Sequence, residues 1–407
     1  MRLLFISLAV LLFPVPSLAA AWQFDKPVEV TSVTGPRLFH HLESAGRRNI
    51  AVSGDSVAVV WEDERDGTPR IYLAQKKLAD EGFGAEIVIS GKGEAFEPSL
   101  VAMGGGRFAV AWEEEGRVHA RVVAEGIPGP VYRVAAADAV QASLAANGDE
   151  VFLAAAERNG RFARIMLHRL RIGGDTSLSE TNRCAVDAEP PEDEQLYPTP
   201  VVSRGQVIVA WEDRRPGHTI IMAGVSKADK PCGFQPPHRI SLRPKRGQKM
   251  PYGKGHGVAR VAMAGYGPSG VFAAWADKRD FREGYDIYGA ALQEGGRFGD
   301  NERVQDEFGG VARQWHTSVA GHPDGTLVVA WDDERDGDAN VMLSWREGGE
   351  WSEDTVLPGA GGSGEQVHPS ITLDADGNLH VAWVERDTID GPTRLRYAFG
   401  RKTNGDF

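Results

Sequence analysis

The sequence predicts an all-β protein, a seven-bladed β-propeller in which each blade has four strands. Seven copies of one unit of about fifty residues follow one another, and repeats of that length with short strands are typical of propellers. The 49 glycines, many in Asp-Gly and Gly-Gly pairs, indicate frequent tight turns. No segment has the periodicity of a long amphipathic helix.

The first 21 residues have the pattern of a secretory signal peptide. Arg2 gives a basic start, residues 3–13 are apolar, and residues 19–21 are alanines that suit cleavage. Residues 22–407 are then predicted to form a single propeller domain. No later segment is long and apolar enough to be a membrane helix. We therefore expect a periplasmic or secreted protein without membrane insertion.

The net charge limits the classes of partner, and the two cysteines limit the kinds of metal site. The formal net charge of −12 disfavours nucleic acid, which an acidic surface repels. Cys184 and Cys232 are predicted to form a disulfide because the expected compartment is oxidising, and two free thiols are the alternative. Two cysteines cannot make a structural zinc site, and no calcium-loop spacing is present. We predict neither a metal nor another cofactor.

The second and third strands of each unit flank the motif Trp-x-Asp-x-Arg. Clear copies begin at Trp61, Trp211, Trp275 and Trp331, looser ones at Trp112 and Trp383, and Ala156 is assigned to the tryptophan position of the remaining unit. An aspartate and an arginine two residues apart can pair with each other or with turn backbone. Because a catalytic site occurs once and a scaffold device recurs, the motif is interpreted as structural.

The first and fourth strands complete each unit. First strands such as residues 98–101 and 369–372 follow repeat starts near residues 47, 97, 141, 197, 258, 316 and 368. The last unit ends near residue 399 without a fourth strand. Residues 27–31 supply a strand of suitable composition, so the N-terminus is predicted to complete the last blade and close the ring.

The Trp-x-Asp-x-Arg units resemble secreted bacterial propellers of the sialidase-like superfamily. Residues 344–351 keep the Ser, Gly and Trp of that family's Asp-box turn, with Arg346 in place of its Asp. The resemblance implies a glycoside hydrolase and a six-bladed ring as alternatives to a non-catalytic, seven-bladed one. It also implies an arginine triad and a Tyr/Glu pair, for which the candidates are Arg47 or Arg48, Arg260, Glu97 and Tyr197.

One position differs in every unit although its neighbours repeat. It lies just before the first strand and is occupied by Arg47, Glu97, Gln141, Tyr197, Val258, His316 and His368. First strands are innermost in a propeller, so these residues should surround the axis on one face. His40, His41, Tyr252 and His256 are expected near the same face.

The favoured hypothesis is a non-catalytic propeller that binds a glycan, a small ligand or an envelope protein at this axial face. Its predicted ligand-binding residues are Arg47, Glu97, Gln141, Tyr197, His316 and His368. The alternatives are a sialidase-like glycoside hydrolase and a scaffold subunit of a cell-envelope complex, because the fold alone does not decide function.

Overall fold

The computed structural model describes residues 21–42, 46–242, 257–279, 284–306 and 311–403. These residues form seven antiparallel sheets arranged as successive blades, and none of them is helical. The predicted seven-bladed propeller is therefore confirmed. Most of the predicted signal peptide, residues 1–20, lies outside the described residues, as do Tyr252 and His256. No helix among the described residues has the length and apolar character needed to cross a membrane.

The strands are numbered β1 to β32 in chain order. The N-terminal pair is β1 (Trp22–Phe24) and β2 (Val28–Glu29). Blade 1 contains β3 (His40–His41), β4 (Ile50–Ser53), β5 (Ser56–Asp63), β6 (Arg70–Lys77) and β7 (Ile87–Val88). Blade 2 contains β8 (Ala95–Gly104), β9 (Arg107–Glu114), β10 (Arg117–Ala124), β11 (Ile127–Pro128) and β12 (Tyr132–Arg133). Blade 3 contains β13 (Ala139–Asn147), β14 (Glu150–Asn159), β15 (Phe162–Ile172) and β16 (Leu178–Ala185).

The remaining blades follow the same order. Blade 4 contains β17 (Gln195–Ser203), β18 (Gln206–Asp213), β19 (Ile220–Lys227), β20 (Lys230–Phe234) and β21 (His238–Arg239). Blade 5 contains β22 (Val258–Tyr266), β23 (Gly270–Asp277), β24 (Asp286–Ala291) and β25 (Glu302–Arg303). Blade 6 contains β26 (Gln314–Gly321), β27 (Thr326–Asp336), β28 (Asp338–Glu347) and β29 (Thr355–Val356). Blade 7 contains β30 (Glu365–Leu373), β31 (Leu379–Arg386) and β32 (Thr393–Lys402).

The N-terminus completes blade 7, as predicted. Both β1 and β2 pair antiparallel with β32, with Trp22 opposite Lys402 and Val28 opposite Tyr397. The closing segment is longer than the predicted residues 27–31, because Trp22–Phe24 also joins the sheet. Trp22 is buried and meets Trp345 of blade 6 edge to face, with ring centroids 5.7 Å apart. The first and last parts of the chain thus share one sheet.

Buried tryptophans anchor six of the blades. These are Trp61, Trp112, Trp211, Trp275, Trp331 and Trp383. In blades 1, 2, 4, 5 and 6 the indole N–H donates to the carboxylate two residues later, for example to Asp63 at 2.8 Å in blade 1. Asp63 also accepts from the side chain and backbone N–H of Arg65, at 2.8 and 3.2 Å. In blade 1 the motif thus pairs its buried indole, carboxylate and guanidinium with one another, which supports the structural interpretation.

In blade 3 a histidine takes the place of the tryptophan as the partner of the motif carboxylate. The strand register, with Ser143 opposite Ala154, puts Ala155 at the tryptophan position, so the assignment of Ala156 is wrong by one residue. The carboxylate of Glu157, which corresponds to the motif aspartate, instead pairs with Nε2 of buried His168. A buried carboxylate thus keeps a partner where the indole is missing.

Serines of the first strands join neighbouring blades near the axis. The hydroxyl of Ser318 accepts the backbone N–H of Ile371 at 3.1 Å. That of Ser370 accepts the N–H of Asn49 at 2.9 Å, which links blade 7 to blade 1. This contact explains why the residues beside the variable position repeat.

The predicted disulfide is present and joins two blades. Cys184 in β16 and Cys232 in β20 are bonded, with their Cα atoms 5.7 Å apart. These strands are the outer strands of blades 3 and 4. The bond therefore fastens two neighbouring blades at the rim.

Candidate functional site

The variable residues lie at equivalent bulges around one mouth of the axial channel. In blade 2 the strand register slips by one residue between Phe96 and Ser99, so that Glu97 and Pro98 face a single partner residue. The backbone of Glu97 is left-handed, with φ of 55°. Left-handed φ values recur at Gln141, Tyr197, His316 and His368. Bulges commonly re-aim a side chain, and the repeated bulge presents these residues at the mouth.

In blade 5 the predicted ring residue, Val258, is wrong. The register slips between Ala259 and Ala262, and the residue with left-handed φ, at 60°, is Arg260. Val258 is buried in the core instead. Blade 5 has Ala262 where blades 2, 3, 4, 6 and 7 have Ser or Thr, so the sequence offered no marker for the register. The ring therefore includes Arg260, which sequence reasoning had assigned only to the hydrolase alternative.

Carboxylates from the preceding blade hold these bulges. Glu62 accepts the backbone N–H of Glu97 at 3.1 Å, and Glu212 accepts that of Arg260 at 2.8 Å. Both glutamates occupy the x position of Trp-x-Asp. Glu113 accepts the N–H of Gln141 and Asp332 that of His368 in the same way.

Blade 3 has no carboxylate at this position, since Ala156 occupies it. There the side-chain oxygen of Gln141 accepts the N–H of Tyr197 at 2.9 Å. These supporting residues were not among the predicted site residues. Their signal in the sequence is the recurrence of Glu or Asp at the x position of Trp-x-Asp.

A short segment closes the floor of the mouth. Arg47 is buried, with 1% of its side chain exposed, and donates to Glu97 at 2.6 Å and to the carbonyl of Ala142 at 2.9 Å. The preceding Gly46 has φ of 73°, and a Cβ there would lie 2.1 Å from the carbonyl oxygen of Val261. Residues 46–48 therefore reach from blade 2 to blade 5 across the channel. Arg47 contributes to the site by holding Glu97 rather than by exposing its own charge.

Above this floor lies a pocket of about 500 Å³. Its walls come from blades 1, 2, 5, 6 and 7 and include Glu62, Phe96, Glu97, Arg260, His316 and His368. Of the predicted ring residues, Glu97, His316 and His368 line it directly. Tyr197 lies behind the pocket wall, because the Arg260 guanidinium stacks on its ring at 3.7 Å. Gln141 in turn accepts the backbone N–H of Tyr197.

The two sides of the pocket differ in charge. Glu62, Glu97 and Glu113 form one side, and Arg260, His316 and His368 form the other. The imidazoles of His316 and His368 stack with centroids 3.9 Å apart, and Nδ1 of His316 lies 2.7 Å from Asp332. Burial opposes ionisation of Asp332, but the two histidines outweigh it and lower the pKa of this carboxyl. The pocket therefore offers acceptors on one wall and donors on the other.

Glu113 is a carboxyl group of the pocket with a raised pKa. Burial, reinforced by the charge and hydrogen bond of Glu97, raises the pKa of Glu113 to about 8. Glu113 therefore keeps its proton near neutral pH and can donate it to Glu97.

We expect this proton to make stability depend on pH. The folded pKa lies above the ordinary 4.5, so the folded state binds the proton more tightly than the unfolded state. The contribution is fully present below about pH 4.5 and is lost as the pH rises through about 8. Glu113→Gln keeps a neutral side chain. Between about pH 5 and about pH 9, the melting temperature of the wild type should fall more than that of Glu113→Gln.

Thermal unfolding across this pH range measures the difference. Glu81→Gln, at an exposed position, is the matched control and should follow the wild type. Parallel curves for the wild type and Glu113→Gln would show that Glu113 does not hold a proton in the folded state.

Neither a metal centre nor the sialidase residue set converges among the described residues. No group of three or more His, Cys, Asp or Glu residues in the described ranges could hold a metal ion. Within those ranges, Arg260 is the arginine that lines the pocket. Arg47 and Arg48 instead donate to backbone carbonyls of Ala142 and Met263.

Comparison with known proteins supports the fold. No family model and no curated protein matches the chain. A protein of unknown function from Dyadobacter fermentans is similar in structure, with a TM-score of 0.54, 10% identity, and coverage of 94% of this chain and 100% of that one. The β-propeller domain of the Trilobed protease from Pyrococcus furiosus gives a TM-score of 0.52 at 11% identity, covering 88% and 94%.

A neuraminidase-like protein, subtype N11, from the influenza virus A/flat-faced bat/Peru/033/2010 also matches. It has a TM-score of 0.46 at 10% identity and covers 95% of this chain and 94% of that one. At these identities the similarities show the fold alone.

Proposed function

We propose that this chain is a periplasmic or secreted propeller that binds a glycan or another small polar ligand in its axial pocket without converting it. The observation that carries the proposal is the contrast between the repeated contacts within the blades and the varied residues of the pocket. Trp-x-Asp motifs and serine contacts recur around the ring, whereas the residues at the mouth differ in chemistry from blade to blade. A concave pocket with a few convergent polar groups is the usual form of a ligand site.

The pocket walls suit a hydroxylated ligand. Glu62 and Glu97 accept hydrogen bonds, Arg260 donates them, and 33% of the Glu97 side chain is exposed to the pocket. Phe96, 37% exposed, adds an apolar surface at the edge. A sugar presents hydroxyl groups and an apolar ring face together, and this pocket offers a partner to each.

The predicted location rests on the signal pattern in residues 1–21 and on the disulfide. A cleavage site at the alanines preceding Trp22 would leave the closing strand β1 intact. N-terminal sequencing of protein recovered from the cell envelope or medium tests both points.

Glycoside hydrolysis is the second candidate, and one observation favours it. Glu113, protonated near neutral pH, lies beside Glu97, and most families of glycoside hydrolases use a pair of carboxyl groups of which one acts as the acid. The two side chains hydrogen-bond to each other, however, whereas a retaining pair stands about 5 Å apart to admit the sugar. Binding without turnover therefore fits the geometry better.

The test is a calorimetric and turnover screen of sialosides and other glycans against the purified protein. Phe96→Ala removes the exposed apolar wall without disturbing the ion pairs, and Glu97→Gln keeps the shape but removes the charge. We expect each to weaken binding by about tenfold, or about 1.4 kcal/mol. The matched control is Val131→Ala, an exposed apolar residue on the outer edge of blade 2, which should bind as the wild type does.

Each other outcome has a definite meaning. Turnover that disappears in Glu97→Gln would establish the hydrolase alternative. Binding that survives both pocket variants would contradict an axial site. If nothing binds, the exposed side chains of Ile127 and Val131 make blade 2 the first surface to test for an envelope partner.

A further inference from the structure

A second chamber occupies the axial channel beneath the floor made by residues 46–48. It has a volume of about 250 Å³ and is separate from the mouth pocket. The first strands of all seven blades line it, mostly with small or aliphatic side chains such as Ala102, Ala146 and Val202. Arg48 is the charged residue of this lining. The chamber is thus lined by first-strand backbone and small side chains, with one cationic side chain.

The Arg48 guanidinium lacks a charged partner within the described ranges. Its Nη2 donates to the carbonyl oxygen of Met263 at 2.7 Å, and no described carboxylate lies within ion-pair distance of it. Burial lowers the pKa of this guanidinium. The adjacent Arg47 is paired with Glu97, and motif arginines such as Arg65 are paired with aspartates. Arg48 therefore differs from these paired arginines.

A cation without a counter-charge in a narrow channel attracts anions. Arg48 is half-buried and lines the channel, and its guanidinium has five N–H donors, of which one is used on Met263. A neutral carbonyl does not balance the charge. A small anion in the chamber would supply the charge and accept the remaining N–H groups, in the geometry that guanidinium groups favour for carboxylate and phosphate.

We propose that the axial chamber is a binding site for a small anion, held by the guanidinium of Arg48. The ligand class is a halide or a compact oxyanion such as phosphate or acetate, because the chamber is closed by the floor on one side and is about half the volume of the mouth pocket. This site is independent of the ligand proposed for the mouth. Its occupant would tie Arg48 of blade 1 more firmly to the far side of the ring at Met263.

The test measures melting temperature against anion concentration at constant ionic strength. Sodium chloride, phosphate or acetate replaces sodium gluconate, whose anion is too large for the chamber. We expect the melting temperature of the wild type to rise by a few degrees and then to level off as the site fills. A ligand that binds only the folded state stabilises that state. The anion that acts at the lowest concentration identifies the class. Arg48→Gln should not respond, whereas Arg133→Gln, an exposed control, should respond as the wild type does.

A second measurement covers the case in which Arg48→Gln does not fold. Wild-type crystals soaked in sodium bromide should show an anomalous peak within about 4 Å of the Arg48 guanidinium. A chamber that shows only water, or an anion response that Arg48→Gln retains in full, would overturn the proposal.

Discussion

Replacing Trp22 with alanine is expected to lower the free energy of unfolding by about 3–5 kcal/mol, the usual range for a buried Trp-to-Ala change. Trp22 is 4% exposed, packs against Trp345, and donates its indole N–H to the carbonyl of Gly377 at 2.9 Å. It also begins the strand that joins the N-terminus to β32. The substitution therefore creates a cavity at the seam where the ring closes.

Urea unfolding followed by fluorescence measures this change. Gln23→Ala is the matched control, because Gln23 lies in the same strand with its side chain exposed. It should shift stability by no more than about 0.5 kcal/mol. If Trp22→Ala behaved like Gln23→Ala, the N-terminal strand would not be closing the ring.

Removing the disulfide by the double change Cys184→Ser and Cys232→Ser is expected to cost about 4 kcal/mol. The bond links residues 48 apart in sequence, and closing a loop of that length restricts the unfolded chain by about this amount. Because it joins the outer strands of blades 3 and 4, its loss also frees the rim between them.

Thermal unfolding with and without reductant measures the effect. Reductant should lower the melting temperature of the wild type to that of the double variant and leave the variant unchanged. Equal melting temperatures for the oxidised wild type and the variant would mean that blade packing alone fixes the rim.

The fold was predictable because its signals repeat. Each Trp-x-Asp motif marks a second strand, and the alternation of apolar strands and glycine turns fixes the four-stranded unit. The closing strand followed from the missing fourth strand of the last unit. The disulfide followed from the expected compartment alone, and the sequence did not indicate that it would join two blades.

Residues were assigned to the wrong position in the two blades that lack a repeated marker residue. In blade 5 the absence of a Ser or Thr two residues after Arg260 allowed a register error of two residues, which placed Val258 in the ring. In blade 3 the missing tryptophan shifted the alignment to Ala156.

The candidate site was predictable in position but not in structure. Comparing the seven units located the ring, because side chains before the first strand must surround the axis. Contacts between blades are not encoded in local sequence. The carboxylate supports at Glu62 and Glu212, the burial of Arg47 and the stacking of Arg260 on Tyr197 all depend on the closed ring.

The most direct test of the axial-pocket account is a crystal structure of the protein with the glycan that binds best in the screen. The account predicts ligand density in the mouth, in contact with Glu97 and Arg260, above an intact floor at residues 46–48. Density elsewhere, for example in the hollow beside Phe83 between blades 1 and 2, with the mouth empty of ligand, would contradict it.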